Sequence, residues 1–232
     1  MELHFGRAFA ALAPSLLDGV GIVLYITIVG FLSSLVVGLV LAIGRLSHNR
    51  VLNVILIGFI EIIRGTPLLV QFFYIYYVVP MLIAGFASML FGVNINVQIA
   101  ASTSGIIGFA INYGCYLSEV IRGAIVAVDP GQREAGLALG FNEAQVLFRF
   151  IIPPALRNSI PVFGNYLVMM IKDTSLLAMI SVQELLLRTR TFASQTFLTV
   201  EAYTILALVY LVLSIPLSQA AKYLEHRLQR PR

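Results

Sequence analysis

Residues 19–44 contain no charged side chain, and neither do residues 65–118. A helix crosses about 30 Å of hydrocarbon with ~20 apolar residues, so the first stretch suffices for one span and the second for more than one. Charged residues make up 11% of the chain and hydrophobic ones 59%, against about 25% charged in an ordinary soluble domain. Lipid, not water, is the main solvent expected for this chain. A secretory leader has an apolar region of only ~7 to 15 residues before its cleavage site, so the first span is expected to stay in the mature protein.

The single cysteine, Cys115, excludes an intramolecular disulfide and a cysteine metal cluster. His4, His48 and His226 lie far apart in sequence, and no metal site is expected.

Apolar runs and their interruptions predict five helical spans, near 16–44, 51–83, 98–121, 155–180 and 201–222. Their orientation follows from Lys and Arg, which are enriched in short cytoplasmic loops. With the N-terminus outside, the inner segments hold Arg45, Arg50, Arg122, Arg133, Arg149, Arg157, Lys222, Arg227, Arg230 and Arg232. The outer segments hold Arg7, Arg188 and Arg190, while Arg64 and Lys172 fall within spans. This ten-to-three asymmetry predicts N-terminus out and C-terminus in. The net charge of +4 is then explained by topology and anionic membrane lipid, with no nucleic-acid partner.

Charges return in the long inner loop between the third and fourth spans, residues 122–157. Asp129 is placed to cap a short helix, with Pro130 at its first position and Gln132 at its third. Gly140 suits its left-handed end. Asn142 with Gln145 three residues on predicts a second capped helix, and Pro153-Pro154 a stop or kink before the fourth span. Leu137, Phe141, Ala144 and Phe148 form an apolar stripe at helical spacing beside Arg133, Glu134, Glu143 and Arg149. That stripe fits a helix lying on lipid headgroups, or a docking element for a cytoplasmic protein. The chain's two lysines follow Ile171 and Ala221, so the Gly-Lys-Ser/Thr core of a nucleotide-binding loop does not occur. A pump driven by ATP would need its ATPase from another chain.

At these residues the chain resembles the inner-membrane permease subunits of bacterial ABC importers for polar amino acids, those for histidine, arginine, glutamine, glutamate and opines. Their cytoplasmic Glu-Ala-Ala motif is matched by Glu134, Ala135, Gly140 and Pro153 at the right spacing; Gly136 replaces the second Ala, Phe150 an Ile and Ile152 a Leu. The segments Ile63-Arg64-Gly65-Thr66-Pro67-Leu68-Leu69-Val70-Gln71 and Ile171-Lys172-Asp173-Thr174-Ser175-Leu176 are similar to the same family, as are Tyr116–Gly123 and Gly131–Ala135. The resemblance implies a single transmembrane permease domain over residues 1–232, in the bacterial inner membrane. It implies pairing with an identical or homologous permease, a dimer of ATP-binding subunits, and a periplasmic or lipid-anchored solute-binding protein. It also implies that this chain holds no cofactor, ATP and Mg being used by the ATPase. Arg133, Glu134, Ala135, Gly136, Leu139, Gly140 and Phe141 would then meet the ATPase.

Charged groups inside a span cost about 2.5 to 3.5 kcal/mol each at the centre and usually face protein or a water-filled path. At ~1.5 Å per residue, Arg64 lies ~20 Å from Val51, and Lys172 and Asp173 lie ~21 to 23 Å from Asn158. Both motifs therefore reach similar depth. Glu61 shares a helical face with Arg64, so an ion pair along the helix is one reading; Lys172 and Asp173 neutralising one another is its counterpart. Gly65-Thr66-Pro67 favours a second reading, because a proline break frees backbone groups at membrane depth, and broken helices bind polar solutes in transporters. Arg64, Thr66, Gln71, Lys172, Asp173, Thr174 and Ser175, with Asn112 and Tyr113 nearer mid-depth, are the expected lining of an amino-acid passage. Glu119 is expected to bridge to Arg122. Such a passage suits basic, acidic and amide amino acids alike.

Two other classes compete. An ion-coupled secondary transporter or channel would use the intramembrane charges without a motor, though no inverted repeat is evident. A membrane enzyme would need a nucleophile beside a base; Ser118 and Glu119 are adjacent, and neighbouring helical residues point about 100° apart.

Overall fold

The computed structural model describes residues 3–228; Arg230 and Arg232 of the inner charge tally lie outside the described residues. Among those residues no strand occurs, and ten α-helices follow one another. They are α1 (Phe5–Arg45), α2 (Arg50–Arg64), α3 (Leu68–Phe73), α4 (Val79–Phe91), α5 (Ala101–Val126), α6 (Pro130–Ala138), α7 (Glu143–Val146), α8 (Ile152–Asp173), α9 (Leu185–Thr196) and α10 (Thr199–Leu228). Wider π turns join α3 to α4 and α7 to α8, and a tight 3-10 segment, Thr174–Ile180, continues α8. Four stretches are long and apolar enough to cross a membrane: Phe5–Arg45, Leu68–Phe91, Glu143–Ile180 and Thr199–Leu224. The protein is thus an all-α membrane protein.

Helix α5 is the axis around which the others pack. Its 26 residues rise about 39 Å, but Ser104, Asn112, Tyr113 and Ser118 dilute its apolar character, and all four are buried in the bundle. The tightest partner is α1. A Cβ at Gly38 would stand 3.0 Å from the Leu117 Cβ, and one at Gly114 2.6 Å from a Val37 methyl. Glycine on both sides lets the two backbones approach closely, the device membrane helices use where hydrophobicity gives no sorting. Phe109 of α5 meets Phe72 edge-on with ring centroids 5.2 Å apart, in a core shared with Tyr113, Leu117, Met170 and Leu177.

The second expected span is one broken rod. Ile60 of α2 packs with Cys115 and Leu41 toward the Val126 end of α5, while Phe72 of α3 packs on Phe109 toward the Ala101 end. Between them Gly65 closes α2, and Pro67 is extended (φ −61°, ψ 136°). Ile60 is the one buried residue of α2; Val51, Val54, Ile55, Phe59 and Ile62 are exposed, an apolar face for lipid or another chain.

Several ends differ from expectation: α4 runs on to Phe91 rather than 83, α5 to Val126 rather than 121 and α10 to Leu228 rather than 222. α1 begins at Phe5, not near residue 16, because Ala8, Leu12 and Leu16 are buried against α9 and α10. α8 starts at Ile152, with the proline pair in its first turn, where a missing N–H costs nothing; the disturbance falls one step earlier, in the π turn Leu147–Ile151. Helix α9 was not foreseen. Its signal is the capping carboxylate of Glu184, fully buried, which accepts from the Leu186 and Leu187 amides at 2.8 Å and from the Tyr210 hydroxyl at 3.1 Å.

The inner loop folds as its caps predict. Asp129 accepts from the Gly131 amide at 2.7 Å, and Asn142 with Gln145 forms a complete capping box. Gly140 adopts φ +83°, a left-handed conformation glycine reaches without Cβ strain, so Phe141 can turn back to donate its amide to the Gly136 carbonyl at 3.2 Å.

Candidate functional site

The break between α2 and α3 opens into a cleft of about 520 Å³. Arg64, Gly65, Thr66, Pro67 and Leu68 form one wall, Asn112, Tyr113 and Tyr116 of α5 the back, and Tyr166, Met169 and Asp173 of α8 the other wall. A cavity of this size matches the usual range for small-molecule sites, roughly 300 to 1,000 Å³.

Gln71 explains how the break persists at membrane depth. Its amide nitrogen donates to the Ile63 carbonyl at 2.7 Å, the Thr66 carbonyl at 3.1 Å and the Thr66 hydroxyl at 2.9 Å. Its amide oxygen accepts from Asn112 at 3.0 Å. A side chain thus replaces the bonding that Pro67 removes, and ties the break to α5. The Thr66 hydroxyl points back along α2, within hydrogen-bond distance of the Ile62 and Ile63 carbonyls (3.0 and 3.2 Å).

Two opposite charges share the lining. Arg64 lies over the Tyr116 ring, 5.2 Å from its centroid, and 3.6 Å from Glu61 on its own helix. Asp173, on α8, accepts from the Tyr113 hydroxyl at 2.6 Å. Tyr113, Tyr166 and Tyr116 are linked ring to ring, with centroids 6.0 and 6.3 Å apart. Arg64 keeps 36% and Glu61 66% of its side-chain surface exposed. Charges bare at this depth require a watery path or another protein surface, since lipid would penalise them.

Of the residues expected from sequence, the fold brings Arg64, Thr66, Asn112, Tyr113 and Asp173 into the cleft. Gln71 stands behind it as the brace. Lys172 is exposed outside the lining, because one residue along a helix turns about 100°. Thr174 is buried, its hydroxyl on the Ile171 carbonyl at 2.6 Å, and Ser175 donates to the Lys172 carbonyl at 2.8 Å. Tyr116, Tyr166 and Met169 are added by the structure. The signal for the last two was spacing: Tyr166, Met169 and Asp173 recur at three and four residues, one face of α8.

At the loop end of the bundle, Glu119 pairs with both Arg45 of α1 and Arg122. Below it, Arg133, Glu134, Ala135, Leu139 and Gly140 are exposed, whereas Gly136 is buried and Phe141 half-buried. A Cβ at Gly136 would stand 2.9 Å from a Val146 methyl, so glycine here lets α6 sit tightly on α7. Arg133 pairs with Glu143, and Phe141 packs on Phe150 with centroids 5.2 Å apart. The loop is one folded knob whose outer face mixes the charged Arg133 and Glu134 with the exposed apolar Leu139 and Phe148. Among the described residues no group of three or more His, Cys, Asp or Glu is placed to hold a metal ion.

Long apolar helices around a polar cleft at a helix break, with a capped knob projecting from one end, fit a membrane transport subunit. The chain belongs to the family of binding-protein-dependent transport system inner membrane components, which it matches over residues 34–230. It is 34% identical over 229 residues to the glutamine transport system permease protein GlnP of Escherichia coli K12, covering 99% of each chain. It is also 34% identical to the L-cystine transport system permease protein TcyB of Bacillus subtilis, over 94% of this chain and 88% of that one. Among solved structures, an amino acid ABC transporter with histidines superposes with TM-score 0.81 at 32% identity, over 98% of this chain and 100% of that one. The MetNI methionine ABC transporter in an inward-facing conformation shares the fold, with TM-score 0.68 at 14% identity over 93% of this chain and 96% of its own.

Proposed function

We propose that this chain is the membrane-spanning subunit of an ATP-driven importer of polar amino acids, and that the cleft at the α2–α3 break is where the amino acid passes. The observation that carries this reading is that Arg64 of α2 and Asp173 of α8 line one cleft. The arginine suits an α-carboxylate and the aspartate an α-ammonium, each as a charge-assisted hydrogen bond. Amino-acid transport by similar permeases supports the cargo.

Five spans are proposed: α1, the α2–α4 rod, α5, α8 and α10, with the N-terminus outside. A second permease, identical or homologous, covers the bare charges of Glu61, Arg64 and Lys172 and encloses the path between the two copies. The ATPase dimer, with its ATP and Mg, docks on the α6–α7 knob through Arg133, Glu134, Ala135, Leu139 and Gly140, while Gly136 and Phe141 hold the knob's shape. A solute-binding protein delivers cargo at the opposite face.

Reconstitution of the complex in liposomes tests this. Asp173→Asn and Thr66→Val are expected to lower uptake by about tenfold or more at normal assembly, the loss of one charged or braced contact. Unchanged uptake in both variants would remove the passage from this cleft. Transport by the chain alone without ATP would instead favour an ion-coupled carrier.

A further inference from the structure

We infer that the cleft selects zwitterions whose side chains carry no charge. This deepens the proposed function and rests on its reading that the amino acid sits in this cleft. The argument is one of charge pairing. The lining holds a single cation, Arg64, and a single anion, Asp173. A free amino acid brings one carboxylate and one ammonium, which use both. The side chain of lysine, arginine, aspartate or glutamate would bring a third charge to a low-dielectric cleft, and an unpaired charge is what such a site penalises most.

The next charges outward do not alter the balance. Glu61 pairs with Arg64 from the same helix, and Lys172 is exposed on α8, turned about 100° from Asp173; one is negative and one positive. A second copy of the chain would repeat the same neutral set. Two of the three lining tyrosines are already engaged. The Tyr116 face is occupied by the guanidinium of Arg64, and the Tyr113 hydroxyl is committed to Asp173.

What is left for the side chain is neutral. Asn112 offers its amide, Tyr166 an aromatic face and Met169 an adaptable thioether, while the Thr66 hydroxyl, its hydrogen given to α2 and one lone pair to Gln71, has only an acceptor position left. One Asn112 amide hydrogen is already given to Gln71, which leaves its second hydrogen and its amide oxygen for a ligand. This lining fits amide and aromatic side chains together.

Equilibrium dialysis of the purified permease–ATPase complex, without a binding protein, reads the permease's own preference. Labelled glutamine, phenylalanine, arginine and glutamate are the probes. Glutamine and phenylalanine are expected to bind, with arginine and glutamate about tenfold weaker or more. Met169→Glu places one extra anion on the lining at an exposed position, and is expected to raise arginine affinity about tenfold while weakening glutamate further. Arginine or glutamate binding as tightly as glutamine in the unaltered complex overturns the charge rule and leaves the site standing, provided Asp173→Asn still weakens glutamine. Absence of binding by all four probes, or binding indifferent to Asp173→Asn, overturns the site itself and the inference with it.

Discussion

Single side chains decide whether a break in a helix at membrane depth is a defect or a site. Gln71 makes it a site, holding Ile63 and Thr66 on one side and Asn112 on the other. Replacing it by leucine keeps the bulk and removes all four contacts, leaving the Asn112 amide nitrogen without its partner while the Ile63 carbonyl keeps only the Thr66 side. At about 1 to 3 kcal/mol for each orphaned group, Gln71→Leu is expected to lower the melting temperature of the purified protein by several degrees and to weaken substrate binding at the neighbouring Thr66. A melting temperature equal to the parent's would deny the bracing role. This role was not legible in the sequence. Gly-Thr-Pro announced a break, and a polar Gln71 in an apolar run announced a function, but its partners come from eight residues back and from another helix. The sequence likewise placed Lys172 and Asp173 together; only the α8 rotation separates the cleft-lining carboxylate from the outward ammonium.

Elements were legible where their ends carry chemistry. The caps of α6 and α7 were readable because Asp129, Gly140, Asn142 and Gln145 each satisfy a backbone group at a fixed offset, independent of tertiary context. Long spans were readable from charge gaps. Helix α9 was not, since its 12 residues are too few and too polar to signal a span, and its cap, Glu184, depends on Tyr210 from α10. The α6–α7 knob carries its own prediction. Glu134 and Gly140 are both exposed on it, so substitution there spares the bundle. Glu134→Lys reverses a surface charge, and Gly140→Trp adds bulk while forcing a side chain into φ +83°, at a cost of about 1 to 2 kcal/mol. Both are expected to leave the ATPase hydrolysing ATP while uptake falls several-fold, measured as the ratio of solute moved to ATP consumed. An unchanged ratio in both would mean that the knob does not carry the coupling.

For the molecule as a whole, the Lys and Arg asymmetry motivates the proposed topology, with the N-terminus outside. Cys115 is the single cysteine and is buried, so Cys115→Ala gives a clean background for labelling. Ser194→Cys, exposed on α9, is expected to react with a membrane-impermeant maleimide in right-side-out vesicles. Gln132→Cys, exposed on α6, is expected to react only after permeabilisation. The opposite pattern would invert the proposed topology. The α1–α5 seam bears on motion. Val37 sits in the notch at Gly114, and Leu117 in the notch at Gly38, so a slide by one residue would press branched side chains into Cβ atoms and be resisted like any close-packed interior. The two helices form one stiff beam. In the proposed pairing with a second permease, alternation between outward and inward openings would then fall to the joint between two such beams, with each subunit turning as a lever and its knob as the handle.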